Sequence, residues 1–226
     1  MIRSKRSGLG DLSIRLYKQI AVKLIHIIND WFISLVDRYM DAHYGTRKQS
    51  LLRDHPETIV EIGAAYGANF RYLKPGTKVI VIEPNESYNK ILKRRAERFN
   101  VTIEIHNTGA ESIDLPSDSI DMVLGSLVLC TVEYPNQVLS EIHRILRTGG
   151  KFVFIEHVRS EHHTWLCRLQ NFVKKPWKWF FDGCHVNRDT ASSIEKVPFS
   201  KIDLEEFNSK TVFLPIIPHI RGTAIK

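Results

Sequence analysis

The chain's 226 residues, 43% of them apolar and 25% charged, suffice for one α/β domain with a full core and exclude a fibrous or disordered protein. The net charge of +7 suits encounter with phosphate or an anionic lipid surface, yet no apolar run reaches the roughly 18–20 residues that span a bilayer, so neither a transmembrane segment nor a secretory signal is expected. Cys130, Cys167 and Cys184 form no CxxC pair and show no His/Cys ligand spacing, which points to a reducing, cytoplasmic setting and indicates neither a disulfide framework nor a metal site.

Much of the positive charge sits at the head of the chain, where Arg3, Lys5, Arg6, Arg15, Lys18 and Lys23 face a single acid, Asp11. From Leu12 to Met40 the apolar residues Leu16, Ile20, Leu24, Ile27, Ile28, Trp31, Leu35 and Val36 recur at spacings of three and four, the stripe of one amphipathic helix or two. Two readings stay open for it: a helix packed over the core, or a helix lying on an anionic membrane surface. Residues 1–50 are therefore read as a helical cap or membrane-contacting segment, and 51–226 as the main domain.

After Asp54-His55-Pro56 the pattern becomes short apolar runs separated by helical stretches. Strands are predicted at Thr58–Ile62, Lys78–Glu83, Thr102–His106, Ile120–Gly125, Lys151–His157, Lys201–Phe207 and Ile217–Ile225, with helices at Ala68–Leu73, Ser87–Phe99 and Tyr134–Leu146. Such alternation implies an α/β fold: a doubly wound, seven-stranded, mostly parallel sheet with a C-terminal antiparallel hairpin and extra N-terminal helices. An aromatic-rich insertion at about 160–198 interrupts the alternation.

The first predicted strand carries the main chemical signal. Ile59, Val60 and Ile62 read as buried, and Gly63, Ala64, Ala65 and Gly67 force a turn directly after them. In doubly wound sheets the ligand lies beyond the carboxyl ends of the strands, and an acid about 20 residues past the first turn accepts hydrogen bonds from a ribose diol. Glu83 stands at that place. A dinucleotide fingerprint GxGxxG would set a helix terminus against a pyrophosphate, whereas here the turn is preceded by Glu61, which would repel one and suits a cation. The sulfonium and ammonium of S-adenosylmethionine fit that charge, and its adenosine would still use Glu83.

With these residues in place, the sequence resembles the class I S-adenosylmethionine-dependent methyltransferases, whose Rossmann-like fold agrees with the predicted sheet. Four motifs carry the resemblance in order: VEIGAAYGAN at 60–69, VIEPN at 81–85, GAESIDLPSDSIDMV at 109–123 and EIHRILRTGGKFVFIEHV at 141–158. Ala65 stands where that family's turn has its middle Gly, a change that fits a negative φ, and Thr148 stands where Pro is more usual. The resemblance implies that Glu61, Gly63, Ala65, Gly67 and Asn69 surround the methionyl part and that Glu83 holds the ribose hydroxyls. It places Pro84 and Asn85 beside the adenine, Ala110 and Glu111 at its edge, and Gly125 and Ser126 near the ammonium.

A narrower resemblance covers the chain from about Glu57 onward. SLVLCTVE at 126–133, IEHV at 155–158, WFFDGC at 179–184 and PHIRGTAIK at 218–226 look like the methyltransferase-like subfamily whose membrane-associated members methylate alkyl thiols. It implies methyl transfer to a small apolar acceptor, a thiol sulfur favoured. The architecture puts His157 where substrate meets cofactor, as proton acceptor or thiolate holder or else as a hydrogen-bonded strand-end histidine, and Asp182 orients it, binds substrate or caps the following turn. Cys130 and Cys184 read as small hydrophobes, since methyl transfer needs no enzyme nucleophile. The aromatic and basic residues of Trp165–Phe181 suggest a lid over an apolar substrate, with peripheral membrane contact through the basic N-terminal helix; nucleic acid is disfavoured. The alternatives are a lipid, quinone or amine methyltransferase at a membrane surface and a non-catalytic cofactor-binding protein.

Overall fold

The computed structural model describes residue 35, residues 38–181 and residues 183–226. The chain divides into two compact units, Met1–Ala42 and His43–Lys226. Of the first, residue 35 and residues 38–42 are described and are helical, so the amphipathic stripe predicted from Leu12 falls almost wholly outside the described residues. Residues 43–51, at the start of the second unit, are helical and form α1.

Seven strands form one sheet in the second unit: β1 (Thr58–Ile62), β2 (Lys78–Ile82), β3 (Thr102–His106), β4 (Ile120–Ser126), β5 (Leu146–His157), β6 (Lys201–Asn208) and β7 (Pro218–Ile225). Their order is β3-β2-β1-β4-β5-β7-β6. The first five run parallel, while β7 lies antiparallel between β5 and β6. β1 and β2 are apolar almost throughout because both faces of a parallel sheet are covered.

Side chains alternate between two cores. Val60, Ile62, Val123, Phe152 and Phe154 pack on one face with α3 (Pro135–Ile145), and Ile59, Val79, Val81, Met122 and Val153 on the other with α2 (Asn89–Phe99). The same alternation puts Glu61 on the face of Ile59. Pro135 opens α3, where its missing N–H is no loss, and Asn100 closes α2 in the left-handed conformation.

Three local differences from the expected elements have physical causes. Ala68–Leu73 contains one 3-10 turn, Phe70–Tyr72, in place of a helix, since the chain enters it directly from the turn at Gly67. β5 begins at Leu146, because Leu146 pairs with Ile120 and the irregularity that follows absorbs Thr148, Gly149 and Gly150. The aromatic segment is a continuous helix, α4 (Trp165–Phe180), capped by Thr164 accepting from Cys167 N–H at 3.1 Å, and its internal Pro176 obscured the periodicity. A short α5 (Thr190–Glu195) follows.

Candidate active site

A cavity of about 420 Å³ opens beyond the carboxyl ends of β1, β2 and β4, within the range of small-molecule sites. Gly63, Ala65, Glu83, Pro84, Asn85, Ala110 and Glu111 line it, seven of the residues predicted to bind cofactor. The turn after β1 is shaped by backbone geometry. Gly63 has φ +63, and a Cβ there would overlap the adjoining Val128 side chain. Ala65 has φ +46, so the expected negative φ does not hold; an alanine occupies a left-handed position that favours glycine.

Glu83 explains what holds Ala65 there. It is buried at the end of β2, with Oε2 accepting from Ala65 N–H at 2.9 Å and Oε1 from Asn85 N–H at 3.0 Å. One carboxylate therefore joins the two loops, and each oxygen keeps a lone pair for a further donor. Asn85 in turn accepts from Ser87 N–H, and Gln137 donates to the Glu111 carbonyl.

The other predicted residues lie behind or beside this cavity. Lys48 of α1 donates to Asn69 Oδ1 at 2.7 Å, and Asn69 Nδ2 donates to Glu61 Oε1 at 2.6 Å. Glu61 Oε2 is buried without a hydrogen-bond partner among the described residues, and burial raises its pKa to about 7. Gly67 packs on Phe70 and Leu92, and its carbonyl accepts from Arg95. Gly125 packs on Phe152. Ser126 shares a small separate cavity with Lys48 and Asn69.

The far wall of the main cavity, Leu127, Val128, Thr131, Val132 and Phe181, is mostly apolar. Leu127 sits at φ +56, and the loop is held from beneath by Glu156, whose Oε1 accepts from Val128 and Leu129 N–H at 2.9 and 3.0 Å. Burial raises the Glu156 pKa to about 7. Arg188 clamps the same loop by donating to the carbonyls of Leu129 and Val132. From the sequence, residues 127–132 and Glu156 stood only within resembling motifs and Phe181 within the expected aromatic lid, while the supporting roles of Glu156 and Arg188 were not read; the available signal was an acid, Glu156, in an otherwise apolar strand, because a buried carboxylate there must have partners.

His157 is the last residue of β5 and does not line the cavity. Its Nε2 lies 3.0 Å from Cys184 Sγ, and its Nδ1 is buried without a partner among the described residues. Cys130 and then His157 beside it pull the Cys184 thiol down to about 4, against the opposing effect of burial, while Cys130 is raised by Cys184 and by burial. Asp182 lies outside the described residues.

The sheet order, the turn after β1 and an acid at the end of β2 define a Rossmann-like nucleoside-binding fold. Two solved structures share it: an S-adenosylmethionine-dependent methyltransferase, possible histamine N-methyltransferase, from Thermotoga maritima (TM-score 0.59, 21% identity, 90% of this chain and 97% of that one), and geranyl diphosphate methyltransferase in complex with S-adenosylmethionine (TM-score 0.61, 12% identity, 80% and 83%). The family described as "Methyltransferase domain" matches residues 60–154. Among curated relatives, thiol S-methyltransferase TMT1B of Rattus norvegicus is 38% identical over 172 residues, 75% of this chain and 70% of the relative. Thiol S-methyltransferase TMT1A of Homo sapiens is 35% identical over 172 residues, again 75% and 70%. The chain belongs to the class I S-adenosylmethionine-dependent methyltransferases, in the family that contains these two proteins. It is an enzyme whose methyl donor is S-adenosylmethionine, and the cavity fits that donor: a buried carboxylate faces it, and its floor at Gly63 has no room for a Cβ.

Proposed function

We propose that the chain methylates the sulfur of a small apolar thiol. The observation that carries this reading is the 35–38% identity, across three quarters of the chain, to relatives named as thiol S-methyltransferases. S-Adenosylmethionine, when bound, supplies an electrophilic methyl group on a sulfonium. In this reading Glu83 holds the ribose hydroxyls with its remaining lone pairs, Pro84, Asn85 and Tyr88 flank the base, and Ala110 and Glu111 border its edge. Gly63 and Ala65 border the methionyl part, while Glu61 and Asn69 support the turn from behind.

The wall of Leu127, Val128, Val132 and Phe181 then excludes water from the reacting sulfur and favours an apolar acceptor. A thiol with a pKa of about 8.5 is partly ionised near neutrality and needs less help from a base than an amine or phenol. The test is methyl transfer to a panel of alkyl and aryl thiols, amines and phenols, followed by mass spectrometry. Methylated thiols are expected; transfer to amines or phenols alone would overturn the sulfur assignment.

Peripheral membrane contact belongs to the same proposal. Among the described residues no helix is long and apolar enough to cross a membrane. α4, however, exposes Trp165, Phe172, Trp179 and Phe180, interleaved with Arg168, Lys174, Lys175 and Lys178. That combination suits an anionic interface. Flotation with vesicles containing anionic lipid should retain the chain, and flotation indifferent to lipid charge would count against the contact.

A further inference from the structure

Three sulfur and nitrogen donors from separate elements meet beside the acceptor wall. Cys130 is in the loop after β4, His157 ends β5, and Cys184 follows α4. Their two Sγ atoms and one imidazole nitrogen all lie within 4.8 Å of one another. Both cysteines are free thiols. A tetrahedral ion with Zn–S of about 2.3 Å and Zn–N of about 2.0–2.1 Å separates such donors by about 3.4–3.8 Å. The pair of His157 Nε2 and Cys184 Sγ, now 3.0 Å apart, would need to open by about half an ångström to reach that range.

The backbone around each donor is already fixed. His185 N–H donates to the Cys130 carbonyl at 2.8 Å, and Cys184 N–H to the Phe181 carbonyl at 3.0 Å. Arg188 clamps the carbonyls of Leu129 and Val132 on either side of Cys130, and His157 pairs with His219 in the β5–β7 ladder. Cys130 Sγ has only weak partners, the Leu127 carbonyl at 3.4 Å and Thr131 Oγ1 at 3.5 Å, and the imidazole is poorly satisfied as ordinary core. Sulfur is a weak hydrogen-bond acceptor, yet it is what His157 Nε2 faces, and Nδ1 has no partner among the described residues. A cation between the three donors would satisfy Nε2 and both sulfurs together.

We propose that Cys130, His157 and Cys184 form a binding site for a thiophilic metal ion of the zinc class, with two thiolates and one imidazole as ligands. Binding transfers the thiol protons to solvent and makes three metal–ligand bonds with no change of oxidation state; the two thiolates neutralise a divalent charge. Three protein donors leave one tetrahedral position for water or an added thiol, the arrangement of open rather than closed zinc sites. Thr131 lines the main cavity, and its Oγ1 lies 3.5 Å from Cys130 Sγ, so the site adjoins the acceptor wall.

The test titrates Co²⁺ into the reduced full-length chain and reads thiolate-to-cobalt charge-transfer absorption, followed by displacement with Zn²⁺. One ion per chain is expected, with absorption abolished by zinc. Cys130→Ser, Cys184→Ser and His157→Gln should each weaken binding by more than the roughly 10- to 100-fold typical of losing a second-shell partner. Cys167→Ser, in α4 and outside the cluster, should leave it unchanged. Calorimetric binding of S-adenosylmethionine reports whether each variant remains folded. No charge-transfer band in the reduced wild-type chain would overturn the site, as would full binding in both Cys130→Ser and Cys184→Ser. Neither readout requires turnover, so the thiol methylation reading stands or falls separately.

Discussion

The two sides of the cavity are built on different principles. On the β1–β2 side a carboxylate that follows its strand meets partners close in sequence: Glu83 holds the N–H groups of Ala65 and Asn85, 18 and 2 residues away. On the β4–β5 side Glu156 reaches N–H groups 28 and 27 residues away, and His157 meets a sulfur 27 residues away. The first side is shaped by its own turn, with tertiary packing beneath it. The second exists only once β4, β5 and the segment after α4 have assembled. Damage to the first should therefore appear in ligand affinity, and damage to the second in stability as well.

The strongest way to break that distinction is Glu156→Ala. It leaves the N–H groups of Val128 and Leu129 without their buried acceptor, at about 1–3 kcal/mol each, so a loss of about 4 kcal/mol in unfolding free energy is expected from urea denaturation. A loss below about 1 kcal/mol would show that the loop does not depend on its carboxylate.

Glu61 provides the next largest effect and appears as pH dependence. Its folded pKa, raised to about 7 from 4.5 by burial, means that the folded state holds a proton that the unfolded state has released. The associated stability is complete below 4.5 and is lost as pH rises toward about 7. Lys48 opposes this shift and Glu83 reinforces it. Urea unfolding from pH 5 to 7 should show that Glu61→Gln removes a component approaching about 1.4 kcal/mol per pH unit, while the like contribution of Glu156 remains. An identical pH profile in the variant would contradict the assignment.

Glu83→Gln sharpens the comparison on the affinity side. Loss of charge-assisted hydrogen bonds should weaken S-adenosylmethionine binding by about 1.5–3 kcal/mol, roughly 10- to 150-fold, as measured by calorimetry, with a smaller stability loss of about 1–3 kcal/mol because the amide nitrogen cannot accept from one of the two N–H groups. Ala65→Gly is the smallest change: relief of the left-handed alanine should stabilise the fold by about 1 kcal/mol, read from the urea midpoint. Destabilisation instead would mean that the turn tolerates its alanine without strain.

These contrasts also account for what the sequence made legible. β1, β2, β4, β5 and the turn after β1 were readable because strands covered on both faces are nearly continuous apolar runs and close approach demands glycine at Gly63, while edge strand β3 read from its alternation. Seven of the predicted cofactor residues line one cavity for the same local reason. The left-handed Ala65 was not readable, since it is held by the carboxylate of the next strand, Glu83, and alanine carries no mark of a positive φ. Pro176 and the aromatic run disguised α4. Cys130, His157 and Cys184 were each named from the sequence but not as a cluster, and no metal site was expected, because their proximity arises from sheet order and the spacing along the chain carries no trace of it.

The place of β7 between β5 and β6 bears on how the protein is made. While the ribosome is still synthesising the chain, the outer edge of β5 has no neighbour, and β6 emerges before the strand it must pair with. The sheet can close only when Ile225 has cleared the exit tunnel. Closure of the sheet beyond β5 therefore waits for β7, and a chain cut just upstream of Pro218 would leave the edges of β5 and β6 open to intermolecular pairing.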